Sequence, residues 1–164
     1  GIDYLSRQKN VTPIYLVAFS AGTRMMTAYL AKHPDQTFGG YVSVSTSCGG
    51  PEPMDSNDNL RRVTVPVLDI YGTGSPPDLN CAAGRKKLPE TMQRYTVVQV
   101  AGAPHNFRGY ETQLTPLVAD WLRALNAVEQ QLGGLSPSSA AHAAHQPVRR
   151  GLRQMHGCGV FHTR

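Results

Sequence analysis

Short, continuous apolar runs recur along this chain: Ile14-Tyr15-Leu16-Val17-Ala18-Phe19, Tyr41-Val42-Ser43-Val44-Ser45, Val67-Leu68-Asp69-Ile70-Tyr71 and Thr96-Val97-Val98-Gln99-Val100. Each has strand length and is rich in β-branched or aromatic residues, which predicts strands, and the first, apolar at almost every position, is expected to be covered on both faces. Between the first two runs, residues 21–32 read as a helix that stops at His33-Pro34, where proline forbids continuation. Gly39-Gly40 introduces the second strand, and a loop rich in Gly, Pro, Ser and Asn follows over about residues 46–59. Gly72-Thr73-Gly74-Ser75-Pro76-Pro77 reads as a loop at a strand's carboxyl end, with a short helix after it from Cys81 to Lys87. Leu117, Val118, Trp121, Leu122, Leu125 and Val128 recur at helical spacing, so residues 116–130 form an amphipathic last helix, with Thr115 as N-cap and Pro116 in the first turn. The opening Gly1-Ile2-Asp3-Tyr4-Leu5 reads as the end of a helix. Strands alternating with helices predict an α/β fold: about four parallel strands flanked by helices.

Charge changes that picture only at the end of the chain. The formal charge is +5, yet up to Leu132 there are 12 Lys/Arg against 11 acids, and the remaining four arginines face no acid at all. The basic balance therefore belongs to residues 133–164 and gives no reason to assign a nucleic-acid partner to the domain. That tail is low in large apolar residues and is expected to be disordered, because it cannot bury enough surface to offset its ordering entropy. Residues 1–132 are expected to form the folded part. No stretch approaches the roughly 20 apolar residues of a membrane span. Cys48, Cys81 and Cys158 have no metal-ligand spacing and leave one over if two pair, so the compartment stays open. The tail's His142, His145, His156 and His162, with Cys158, match no ligand pattern either, and no metal or other cofactor is expected.

The chemistry starts at Ala18-Phe19-Ser20-Ala21-Gly22. A buried strand, then small-x-Ser-x-Gly, then a helix is the layout of a nucleophile elbow, with small residues expected where a Cβ would crowd the turn. Ser20 is the candidate nucleophile, and it needs a base and an orienting carboxylate. His33 lies at the far end of the following helix, roughly 18 Å away, and reads as a helix C-terminal residue. His105 lies in the loop after the fourth strand, on the same sheet edge as Ser20, and is the candidate base, expected within about 4 Å of Ser20. The acid stays open between Asp78, in the loop after the third strand, and Glu52 or Asp55 after the second. Asp69, inside a strand, should point into a packed layer. The N–H of Ala21 is the candidate oxyanion donor. Arg61-Arg62 and Arg85-Lys86-Lys87 read as solvated surface, and Gly72-Thr73-Gly74 is no dinucleotide fingerprint, because two prolines follow.

With these motifs in order, the chain resembles the α/β-hydrolase superfamily over about residues 1–132. The matching parts are Ala18 to Gly22, Pro66 to Gly72, Gly102 to Phe107, and Trp121-Leu122. Within it the chain resembles a bacterial group of uncharacterised hydrolase-like proteins, a likeness that points to export or the periplasm. The resemblance implies a Ser-His-acid hydrolase acting on a small-molecule acyl substrate without a cofactor. It also implies that the first half of the domain is missing, with the second oxyanion donor, so this stretch is expected to be a C-terminal portion with weak or no activity alone. The family acid usually stands close behind the Tyr-Gly pair, where this chain has Thr73-Gly74-Ser75. The alternative is a hydrolase-like domain that binds without catalysis. A third idea makes the basic tail an adaptor to an anionic surface.

Overall fold

The computed structural model describes residues 2–8, 13–92 and 94–133. The expectation for residues 133–164 lies, but for Gly133, outside them, as do the tail histidines and Cys158. The elements in chain order are α1 (Ile2–Ser6), β1 (Tyr15–Phe19), α2 (Ala21–Lys32), β2 (Gly40–Val44), α3 (Ser56–Leu60), β3 (Val67–Gly72), α4 (Pro76–Ala83), α5 (Leu88–Thr91), β4 (Tyr95–Val100) and α6 (Glu111–Gly133). The strands form one parallel sheet in the order β1-β2-β3-β4, with Val17 opposite Val42, Ser43 opposite Asp69 and Asp69 opposite Val97. Each strand therefore pairs with the next in sequence, and every carboxyl end points the same way.

Alternation along the strands sorts the core into two layers. Tyr41, Val67 and Tyr95 face one side, where they pack with Leu30, Leu60 and Leu88. Val42, Val44, Leu68, Ile70 and Val100 face the other, against Phe107 and the Leu117, Val118, Trp121 and Leu122 stripe of α6. The two central strands are buried at every position. β1 departs from the expectation of full cover: it is a sheet edge, and its Val17 and Phe19 are 57% and 46% exposed.

Two helices differ from the sequence reading. α4 begins at Pro76 rather than Cys81, because Ser75 caps it by accepting a hydrogen bond from the Asp78 N–H and the two prolines occupy its first positions. α6 begins five residues earlier than Pro116, at Glu111, whose carboxylate accepts from the Gly109 N–H. Hydrogen bonds from its own backbone N–H, first of all, and from that of Gly109 hold the exposed Glu111 carboxyl below its usual pKa. Pro116 sits inside the helix. The carbonyl that loses its partner belongs to the exposed Thr112, where solvent can serve it.

A third correction concerns Arg85. It is not a solvated cation but is 1% exposed, as is Asp69. Its Nε donates to Asp69 Oδ2 at 2.8 Å and its Nη1 to Asn57 Oδ1 at 3.0 Å. Tyr95 donates its hydroxyl to the same Asp69 oxygen and Thr46 donates to Oδ1, so the buried carboxylate is served on both oxygens. Burial alone would lower the Arg85 pKa, but the Asp69 charge and hydrogen bonds outweigh it and hold the guanidinium above its ordinary value. Asp69 thus points into a packed layer.

Candidate active site

Ser20 closes β1 and opens α2 with φ 52° and ψ −123°. A left-handed φ at a residue with a Cβ stores roughly 1–3 kcal/mol of strain that the surroundings must hold. Several contacts hold it. The Ser20 N–H donates to the Val44 carbonyl at 3.0 Å, and the Thr23 N–H and hydroxyl both donate to the Ser20 carbonyl. Thr23 is fully buried and its hydroxyl also accepts from the Ser47 N–H. The strain is thus held by the start of α2 and the end of β2. The expected crowding at Gly22 is absent: a Cβ there would meet only Ala18 Cβ, at 4.0 Å. Ala21 is the first residue of α2, so its N–H is among the donors that no carbonyl within the helix can serve.

Ser20 Oγ lies 2.7 Å from His105 Nε2, and His105 Nδ1 lies 2.7 Å from Asp78 Oδ1. Three residues from three strand ends thus form one hydrogen-bonded line. Asp78 is 4% exposed and sits in the first turn of α4, where the helix N-terminus favours a carboxylate. Its other oxygen, Oδ2, is buried with no hydrogen-bond partner among the described residues. The His105 side chain is 43% exposed. Phe19 covers part of its ring at a centroid distance of 5.4 Å.

The other sequence candidates go elsewhere. Asp55 caps α3 by accepting from the Asn57 N–H, Glu52 is exposed, and neither has a hydrogen bond to His105 among the described residues. His33 caps the end of α2 and packs on Tyr29 at 4.6 Å.

His105 must cross the sheet edge to reach Ser20, since it leaves β4 while Ser20 ends β1. Three strand spacings amount to roughly 14 Å. The sequence reading missed what guides that crossing. At the end of β3, the Gly74 N–H donates to Ala103 O at 3.0 Å and the Gly102 N–H donates to Thr73 Oγ1 at 2.8 Å. Gly72 and Gly74 permit this approach: a Cβ on them would fall 2.1 Å from Ala103 O and 2.4 Å from Gly102 O. A Tyr-Gly-x-Gly stretch ending a strand was the available signal, but its partner loop is not local. At the end of β2, the Ser45 hydroxyl donates to the His105 carbonyl at 2.7 Å. Past His105, Phe107 buries its ring in the α6 layer with φ 55°.

The Cys48–Cys81 disulfide ties the loop after β2 to α4, one helical turn beyond Asp78. Arg24, in α2, donates to the Cys48 carbonyl at 2.6 Å. Among the described residues no cluster of His, Cys, Asp and Glu could hold a metal ion, and no helix is long and apolar enough to cross a membrane.

No family model matches the chain, and no curated protein does. Solved structures do. Est1E from Butyrivibrio proteoclasticus, solved with ferulic acid bound, superposes with a TM-score of 0.62 at 16% identity, over 77% of this chain and 65% of that one. A dienelactone hydrolase from Anabaena variabilis gives 0.57 at 24% identity, over 74% of this chain and 55% of its own. A monoacylglycerol lipase from Paleococcus ferrophilus gives 0.53 at 15% identity, over 68% of each chain. The chain thus spans less than two thirds of the length of the first two.

Proposed function

We propose that this chain, which has a partial α/β-hydrolase fold, is a serine hydrolase of the carboxylic-ester type acting on a small-molecule acyl substrate. The observation that carries the reading is the unbroken line from Ser20 Oγ through the His105 ring to Asp78, with 2.7 Å at each step and a strained elbow at its head.

In this reading His105 Nε2 takes the Ser20 proton as Oγ bonds to the ester carbonyl carbon, and Asp78 orients the ring and stabilises the imidazolium that forms. The tetrahedral intermediate collapses by breaking the bond from carbon to the alcohol oxygen, and His105 returns the proton to that oxygen. Water then attacks the acyl-serine with its proton passing to His105, and the acid leaves as Ser20 regains its hydrogen. Ala21 N–H supports the negative oxygen. The fold of the neighbours, which are esterases and hydrolases, supports the reaction class. The disulfide supports an oxidising compartment, in keeping with export.

The test is covalent labelling with a fluorophosphonate. Labelling of the purified chain should map to Ser20, vanish in Ser20→Ala and slow sharply in His105→Ala and Asp78→Asn. A folded chain that never labels would leave a hydrolase-like binding domain as the reading.

A further inference from the structure

We infer that Ser45 is a positioning residue for His105, holding the base over the end of β2 so that its ring meets Ser20. The rate readout of this inference rests on the hydrolase reading; the spectroscopic one does not.

Ser45 follows β2 directly, is fully buried and has φ 49°. Its N–H donates to the Ile70 carbonyl at 2.8 Å, which extends the β2–β3 pairing by one residue. Any residue other than proline would supply that bond, so it does not explain a serine. Backbone sterics argue against one: glycine adopts this φ without cost, whereas a Cβ there is disfavoured. What serine has and glycine lacks is the hydroxyl, and the hydroxyl donates across 60 residues of sequence to the His105 carbonyl at 2.7 Å.

The placement explains why such a contact matters. The loop from Val100 to His105 crosses the ends of β3 and β2 before it reaches β1. Contacts at the β3 end stop at Ala103, and the next firm anchor, the buried ring of Phe107, lies beyond the histidine. The Ser45 hydroxyl grips the backbone of His105 itself between those two points. Ser20, Ser45 and Phe107 are the non-glycine residues with left-handed φ among the described residues. All three surround the His105 ring or its loop. Strain gathered in this way marks a place where geometry is over-determined for a purpose.

Two variants test the inference. Ser45→Gly removes the hydroxyl and relieves the backbone, so it should fold at least as readily as the parent. Ser45→Cys keeps the shape and leaves a weaker donor. For each, the fluorophosphonate labelling rate, the thermal midpoint and the downfield proton resonance of His105 Nδ1–H, bonded to Asp78, are measured. Ser45→Gly should label about tenfold more slowly, the scale of one lost neutral hydrogen bond, and its Nδ1–H resonance should broaden or vanish. Ser45→Cys should fall between the two. The midpoint of Ser45→Gly should stay near that of the parent. An unchanged His105 resonance in folded Ser45→Gly would overturn the inference, and so would failure of both variants to fold, since Ser45 would then serve the sheet rather than the base. If the parent chain does not label at all, the hydrolase reading fails, and the resonance still decides whether Ser45 positions the histidine.

Discussion

Replacing Gly72 with alanine puts the site's construction to its sharpest test. Gly72 closes β3 opposite Val100, and its φ is not left-handed, so alanine meets no backbone penalty of its own. The obstacle is contact. An ideal Cβ would lie 2.1 Å from Ala103 O, 2.7 Å from Ala103 C and 2.9 Å from Ala103 Cβ. These are atoms of the loop that carries His105, two residues further on, and two of the three are backbone, so no side-chain rotation relieves the clash. Ordinary separation requires the loop to lift by about 1 Å, as overpacked sites do at a cost of roughly 1–3 kcal/mol. Up to about 1 kcal/mol returns from the stiffer unfolded chain. The larger effect is on geometry. Both 2.7 Å hydrogen bonds of His105 depend on that loop, and a misplacement of about 1 Å can cost about 100-fold in rate. The labelling rate of Gly72→Ala should therefore fall by about 100-fold, while the thermal midpoint drops by a few degrees. Gly74→Ala, with a Cβ 2.4 Å from Gly102 O, should behave alike. Labelling of Gly72→Ala within twofold of the parent would refute the argument that the glycines seat the base.

Three further outcomes are expected. Asp69→Ala leaves Arg85 buried without its counter-charge and should cost about 3–5 kcal/mol in chemical denaturation, whereas Asp69→Leu with Arg85→Met should recover most of it; equal losses in both would refute a charge origin. Burial, first of all, raises the pKa of Tyr41 and Tyr95, with the Asp69 charge adding to it, so above about pH 10 the unfolded chain loses protons that the folded chain keeps. Stability should hold below that pH and fall steeply above it, and Tyr95→Phe should flatten the slope. Removing the Cys48–Cys81 bridge with a dithiol or by Cys81→Ser should lower stability by about 2–4 kcal/mol and slow labelling as well, because α4 carries both Cys81 and Asp78; a loss of stability with labelling unchanged would show that the bridge does not serve the acid.

Much of this architecture was legible because it is written locally. The elbow announces itself through an apolar strand that runs up to Ser20 and a helix that opens with Ala21. The four strands announce themselves as apolar runs, and parallel order then puts Ser20 and His105 on one edge. Asp78 was harder. Read as a loop residue, it was one acid among three. Read as the third position of a helix capped by Ser75 and opened by two prolines, it has a fixed direction, and that cap was available in Ser75-Pro76-Pro77-Asp78. Arg85 was misread because a short basic run looks solvated, and only its partner, 16 residues away on β3, shows otherwise. Pro116 was taken for a helix start because proline is welcome there; an exposed carbonyl one turn earlier made it tolerable inside. Ser45 carries no local signal for its role, and the Tyr-Gly-x-Gly stretch around Gly72 and Gly74 does not name its partner, since each acts on a loop dozens of residues away.

The strand order has a consequence for how the molecule can be watched. Ser20 stands at the end of the first strand and His105 just past the last, with two strands laid between them. A chain that has joined three strands and lost the fourth keeps its elbow, and the serine there has no base beside it. On the proposed hydrolase reading, reactivity at that one hydroxyl would count the molecules in which all four strands have joined. During refolding, or in a cell under heat, a covalent probe on Ser20 would serve as a tally of finished chains, silent on every partly built one.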